Sequence, residues 1–182
     1  DSPKNRPSHR GYGVILESYL PFHKEFFQYG PLSPNSFYER LRCLVDVLCK
    51  SQNLAKIFIA CHPNSLGEEK KYLPGLECVY HDTNRLISGA GVTWSFGSDA
   101  TGISIVYNKP SYYLNFPDIL PLKFQAYISK KSKGFGIPLL SVSDGGKVDQ
   151  FTPRILAGTK RRLYRDFYGS HFPFVSDLIN EK

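Results

Sequence analysis

The sequence predicts an α/β protein built on a doubly wound, mostly parallel sheet with helices on both faces. Three observations predict it. Short apolar runs alternate along the chain with longer segments of helical periodicity, a strand–helix–strand rhythm. The run Lys56–Cys61 (KIFIAC) is almost continuously apolar, as strands covered on both faces are. The chain has 182 residues, 41% hydrophobic and 21% charged, which suits one domain with a sizeable core.

Residues 1–13 are rich in Pro, Lys, Arg and Gly and are expected to form a linker or arm. Gly11-Tyr12-Gly13 is a lone G-x-G with no helix directly after it, a weak dinucleotide signal. Val14–Glu17 reads as a first strand ending in an acid. Residues 18–34 read as a Pro- and aromatic-rich loop. Asn35–Gln52 is a helix, with Phe37, Leu41, Leu44, Val45 and Leu48 on one face. Ser33 or Asn35 can cap it, and Pro34 is tolerated near its first turn. Lys56–Cys61 is the second strand and Leu76–Tyr80 the third. Asp82-Thr83-Asn84 is expected to cap a short helix, Arg85–Ser88.

Gly91–Trp94 is the fourth strand. Ser95 to Asp99 turns into a helix over residues 99–107, stopped at Asn108-Lys109-Pro110 and followed at once by a fifth strand, Ser111–Asn115. Beyond residue 116 the pattern weakens. It predicts a helix near 120–131, a strand near 137–142, a turn at Ser143-Asp144-Gly145-Gly146 and a helix near 154–168. The expected organisation is an arm (1–13), an α/β domain (14–150) and a C-terminal helical segment packed on it (151–182). There is no internal repeat and no low-complexity tract.

Net charge is +7 and the pI about 9.2, a balance that suits an anionic ligand, a membrane surface or nucleic acid. Basic residues crowd the last third, from Lys123 to Arg165. Such a run is a solvated surface, or a basic rim facing an acidic substrate or an anionic bilayer. No RNA- or DNA-binding motif accompanies it, so nucleic acid is not the expected partner. No apolar run approaches the ~20 residues of a membrane span, and no signal peptide is read on the chain. The four cysteines, Cys43, Cys49, Cys61 and Cys78, lack the C-x2-C spacing of a zinc site. They are expected to be small core residues in a reducing compartment, with no metal centre. A chain that starts at Asp and holds no Met is expected to be a processed form or a piece of a longer product.

Polar clusters recur where strands end. His62-Pro63 closes the inner run KIFIAC. Proline stops the ladder and holds His62 in extended backbone, which fixes the imidazole direction. A His so placed either bonds local backbone or faces a ligand phosphate. Glu17 follows the first strand, and Thr83 follows the third at a helix start. The turn Ser98-Asp99-Ala100-Thr101 follows the fourth, again at a helix start. Helix N-termini offer unpaired N–H groups to an anion, and Gly97 lets backbone approach it closely. Taken singly, the hydroxyls are ordinary caps, and Asp99 is better suited to capping or to an outward turn than to facing an anion. Together the clusters mark one ligand-binding edge.

Three stretches resemble a known family. Ile15-Leu16-Glu17-Ser18-Tyr19-Leu20-Pro21-Phe22-His23 is similar to a recurring "FLDxYLPxH" opening. Ile59-Ala60-Cys61-His62-Pro63-Asn64-Ser65 is similar to "IAAHPxS", and like the HP motif of bacterial sialyltransferases. Ser98-Asp99-Ala100-Thr101 through Tyr107-Asn108-Lys109-Pro110 is similar to a Ser/Thr-rich turn, helix and "KP" segment. A weaker match surrounds Thr83, Leu86 and Ile87. In order and spacing, the tract from Val14 to Asn115 resembles the nucleotide-sugar-binding half of GT-B-type glycosyltransferases of bacterial surface-polysaccharide assembly. The pattern often carries His where this chain has Phe96, and Ser or Thr where it has Asp99.

The resemblance implies a Rossmann-like donor-binding domain, one half of a GT-B architecture, with an N-terminal half outside this chain. It implies a nucleotide-sugar donor, a CMP-sugar slightly ahead of a UDP-sugar, and a glycan acceptor. The donor is a substrate and no cofactor is implied. The location implied is cytoplasmic, peripheral at the inner membrane. The residues it assigns to the donor are His62, Pro63, Ser65, Thr83, Ser98, Asp99, Ala100 and Thr101. Glu17 and His23 are candidate catalytic groups, Glu17 as a base if an acceptor hydroxyl comes within reach. The alternatives are a sugar-nucleotide epimerase of similar build, disfavoured by the few carboxylates at strand ends, and a non-catalytic α/β binding module.

Overall fold

The computed structural model describes residues 11–65 and 67–143. The expected helix near 154–168, the segment 151–182, most of the arm and the Asp144–Gly146 part of the expected turn lie outside them. Six strands form one sheet: β1 (Tyr12–Leu16), β2 (Lys56–Ala60), β3 (Glu77–Val79), β4 (Val92–Ser95), β5 (Ser111–Asn115) and β6 (Leu139–Ser141). Their order is β3-β2-β1-β4-β5-β6, and every pairing is parallel. This is the doubly wound, Rossmann-like order. It reverses direction between β1 and β4, where such sheets open a crevice at the strand carboxyl ends.

Alternation along the strands divides the core. Ile15 of β1 and Ile59 of β2 join a large cluster with Phe37, Leu41 and Leu44 of α1 (Pro34–Ser51) and Phe124 and Ile128 of α4 (Leu122–Phe135). Val14, Leu16 and Ala60 point the other way, into a smaller cluster with Ile87 of α2 (Thr83–Gly89) and Ile103 of α3 (Thr101–Val106). Helices therefore cover both faces. Burying one such aliphatic side chain contributes about 1.5–3 kcal/mol, so the two-sided inner strands anchor the fold. On β4, Trp94 is fully buried on the α1 side, while Thr93 Oγ1 lies 3.0 Å from Ser104 Oγ of α3 on the other.

Gly13 has a packing reason. A Cβ there would lie 2.4 Å from Trp94 Cζ3, so the second glycine of the G-x-G makes room for an indole.

Within the described residues the expected elements are present with adjusted ends, and several local expectations are corrected. The loop 18–34 contains a 3-10 helix, Lys24–Tyr29, and the polar loop after β2 contains two more, Pro63–Ser65 and Glu68–Lys71. Ser33, not Asn35, caps α1: its hydroxyl accepts from Ser36 N–H at 3.3 Å. Asp82 makes no side-chain cap to α2, because its carboxylate is turned to the Arg85 guanidinium, 2.7 Å from Nε. The helix expected over 99–107 is only Thr101–Val106, since residues 98–102 close as tight turns first, with Thr101 N–H donating to Ser98 O at 3.1 Å and Gly102 N–H to Asp99 O at 2.9 Å. Of the four thiols, all free, only Cys61 is a buried core residue; Cys43 is exposed, on the polar side of α1. No helix among the described residues is long and apolar enough to cross a membrane.

Candidate functional site

A crevice of about 500 Å³ opens at the carboxyl ends of β1, β2 and β4, at the reversal point of the sheet. Its floor is Leu16, Glu17 and Ser18 after β1, and Ala60 to Pro63 after β2. Its sides are Thr83 at the start of α2 and Phe96 to Ala100 after β4. The volume is within the ~300–1,000 Å³ range of small-ligand sites.

His62 is held in one tautomer. Its Nδ1 accepts from Asn64 N–H at 3.2 Å, so the ring proton sits on Nε2, which remains a donor. The local backbone bond, one of the two alternatives on the sequence, is present and uses only Nδ1 of the ring. Pro63 supplies this arrangement by ending β2 and opening the 3-10 turn that brings Asn64 N–H round to the ring. Burial and the neighbouring His23 hold the His62 pKa below its ordinary value, so the ring is a neutral donor at pH 7. His23 meets it edge to face, with ring centroids 5.3 Å apart. Tyr19 lies nearly parallel to it, with 10° between the planes and centroids 6.3 Å apart.

Glu17 is 3% exposed. Its Oε1 accepts from Tyr19 N–H at 2.7 Å and Tyr38 OH at 3.3 Å, while Oε2 has no hydrogen-bond partner among the described residues. Burial first, with Glu69 adding repulsion, pushes the Glu17 carboxyl up to about 8. At pH 7 it is a neutral acid. A raised pKa favours the neutral carboxyl, which weighs against the expected general-base role.

The turn after β4 is set differently from the expectation of open N–H donors. Ala100 N–H donates to Ser98 Oγ at 3.3 Å, and the next three N–H groups are taken by the carbonyls of Ser98, Asp99 and Ala100. Gly97 adopts φ +87°, a left-handed conformation that favours glycine. Asp99 is 61% exposed and paired with Lys131 Nζ at 3.0 Å. The same ammonium donates to Gly97 O at 2.6 Å. Lys131 thus offsets the Asp99 charge beside the crevice and ties the turn to α4. Sequence reasoning had placed Lys131 only within a basic run.

Of the ten sequence-assigned residues, the crevice brings together Glu17, His23, His62, Pro63, Thr83, Ser98, Asp99 and Ala100. Ser65 and Thr101 do not line it. Ser65 is wholly buried, and the Thr101 hydroxyl donates to Ser98 O at 2.6 Å and lies 2.8 Å from Ser95 Oγ. The sequence reading missed the far wall, where Phe26 and Tyr29 of the Lys24–Tyr29 turn meet Phe124 and Tyr127 of α4. Phe26–Phe124 centroids are 4.7 Å apart and Tyr29–Tyr127 centroids 5.7 Å. The signal was the aromatic pair at i and i+3 in α4, opposite the "EFFQY" of a segment read as loop. Among the described residues, no group of His, Cys, Asp and Glu is arranged to hold a metal ion.

No protein-family profile matches the chain, and no curated protein does. Several solved structures are similar to it, among them two glycosyltransferases by name. One is "E. coli heptosyltransferase WaaC with ADP-2-deoxy-2-fluoro heptose", 18% identical over 62% of this chain and 35% of that one, with a TM-score of 0.42. The other is the glycotransferase of kitacinnamycin, 13% identical over 100% of this chain and 40% of that one, with a TM-score of 0.35. The chain spans well under half the length of either.

Proposed function

We propose that this chain is the nucleotide-sugar donor-binding domain of a GT-B-type glycosyltransferase, passing a sugar to a growing surface glycan. The observation that carries the reading is His62: a neutral imidazole with its Nε2–H available, in a crevice at the reversal point of a doubly wound parallel sheet. A donor there stabilises charge that develops on the leaving phosphate, the term that matters most in a transfer with a charged leaving group. Ser98 and Thr83 flank it as further hydroxyl contacts. A CMP-sugar is favoured over a UDP-sugar because of the His-Pro pair. The acceptor, a second α/β half and any approach to an anionic membrane belong to the same proposal. His23, edge to face with His62 at the same crevice, is a candidate proton carrier beside Glu17.

The test is an NMR titration of the chain with CMP, UDP, GDP and ADP in turn. The reading expects shifts from one nucleotide, centred on His62, Thr83 and Ser98. Shifts scattered over the surface, or the same weak response to all four, contradict it. A specific observation favours a second reading, a binding module without transfer chemistry: the Ser95 and Thr101 hydroxyls and the first-turn N–H groups of α3 are engaged with one another. Nucleotide binding without sugar turnover, when the full-length protein is supplied with acceptor, would select that reading.

A further inference from the structure

Tyr19 has φ +56°, a left-handed conformation that a bulky residue rarely adopts and that costs of order 1–3 kcal/mol. Such a conformation persists only where its surroundings impose it. Here the restraint is Glu17, two residues earlier. Its Oε1 accepts the Tyr19 N–H at 2.7 Å, a short bond inside a fully buried carboxyl site, and Tyr38 OH on α1 braces the same oxygen at 3.3 Å. The outcome lies in the crevice. The turned backbone lays the Tyr19 ring alongside His62, and Tyr19 OH reaches across to Glu68 at 2.8 Å, spanning from the β1 loop to the loop after β2. Phe22 packs on the outer side of Tyr19, with centroids 5.1 Å apart.

We infer that Glu17 is a positioning residue: its Oε1 holds Tyr19 in the left-handed turn so that the tyrosine ring fixes the His62 imidazole toward the crevice. This places Glu17 behind the site, acting through two rings, in place of a base acting on an acceptor. The role requires an acceptor oxygen and not a negative charge. It rests on the donor-site reading only in giving His62 a ligand to meet, since the Glu17–Tyr19–His62 contacts stand without one.

The test compares the intact chain with Glu17→Ala, Glu17→Gln and Tyr19→Gly. The ligand-free readout is the NMR signal of the His62 ring, whose ring-carbon proton shifts report the tyrosine alongside and whose nitrogen shifts report the tautomer. Glu17→Ala is expected to move the His62 proton signals toward those of Tyr19→Gly. Glu17→Gln, which keeps a side-chain oxygen as acceptor, is expected to restore them. Tyr19→Gly accepts the positive φ, so it supplies the ring-free reference even if Glu17→Ala fails to fold. The second readout is affinity for whichever of CMP, UDP, GDP or ADP the wild type binds, expected to fall about tenfold in Glu17→Ala and Tyr19→Gly and to return in Glu17→Gln. His62 signals unchanged in Tyr19→Gly, or left as displaced by Glu17→Gln as by Glu17→Ala, would overturn the inference. If the wild type binds none of the four nucleotides, the donor reading fails and the His62 signals still decide the role of Glu17.

Discussion

Replacing Glu17 by Gln should make the protein more stable, by an amount that grows with pH. The unfolded carboxyl titrates at its ordinary value of 4.5, while burial pushes the folded one up to about 8. Between those values folding takes up a proton. The neutral form's contribution is fully present below the unfolded pKa and is lost as pH rises toward the folded one. Each pH unit in that window costs about 1.4 kcal/mol, so the wild type should have lost about 4 kcal/mol by pH 8. Glutamine has the same shape, keeps an acceptor for Tyr19 N–H and does not titrate. The assay is urea denaturation of both proteins at pH 4, 6 and 8. Subtracting one from the other cancels the titration of every other group. The difference should be near zero at pH 4 and should favour the Gln variant by a few kcal/mol at pH 8. A difference that stays flat from pH 4 to pH 8 would show that Glu17 ionises normally in the fold and is not neutral in the site.

Two further outcomes are expected. Gly13→Ala puts a methyl into space held by the Trp94 indole, 2.4 Å from Cζ3. Overpacking of this kind costs about 1–3 kcal/mol, and a lowered thermal midpoint with an unchanged nucleotide response checks it. Lys131→Ala removes a cation paired with Asp99 and the tie to Gly97 O. Charge-assisted bonds of this type contribute about 1.5–3 kcal/mol, though exposure of Asp99 lowers its share. Nucleotide affinity should weaken about tenfold, with added salt narrowing the gap between variant and wild type as it screens Asp99.

The sheet was legible in the sequence because its inner strands are largely buried on both faces. KIFIA and SYYLN read as apolar runs whatever packs on them, and α1 declared itself through Phe37, Leu41, Leu44 and Leu48. The ligand edge was legible because polar residues follow those runs abruptly, as Glu17 and His62-Pro63 do. Protonation and pairing were not legible, since they depend on neighbours distant in the chain. Glu17 is pushed toward the neutral form by burial and by Glu69, 52 positions away in the chain. Asp99 is offset by a lysine 32 positions on. The aromatic wall was hidden for the same reason: Phe26 reads as loop until Phe124 is set against it. The turn at Ser98–Thr101 misled because its hydroxyls bond to each other, an arrangement that residue type alone leaves open.

In the proposed function the crevice holds a nucleotide through the Nε2–H of His62. The most direct measurement is a calorimetric titration of the wild type and of His62→Ala with CMP, UDP, GDP and ADP. One nucleotide is expected to bind selectively, and the substitution to weaken it about 10- to 100-fold, the loss of one hydrogen bond to a charged group. Equal affinity in the two proteins, or no binding of any of the four to the wild type, would contradict it.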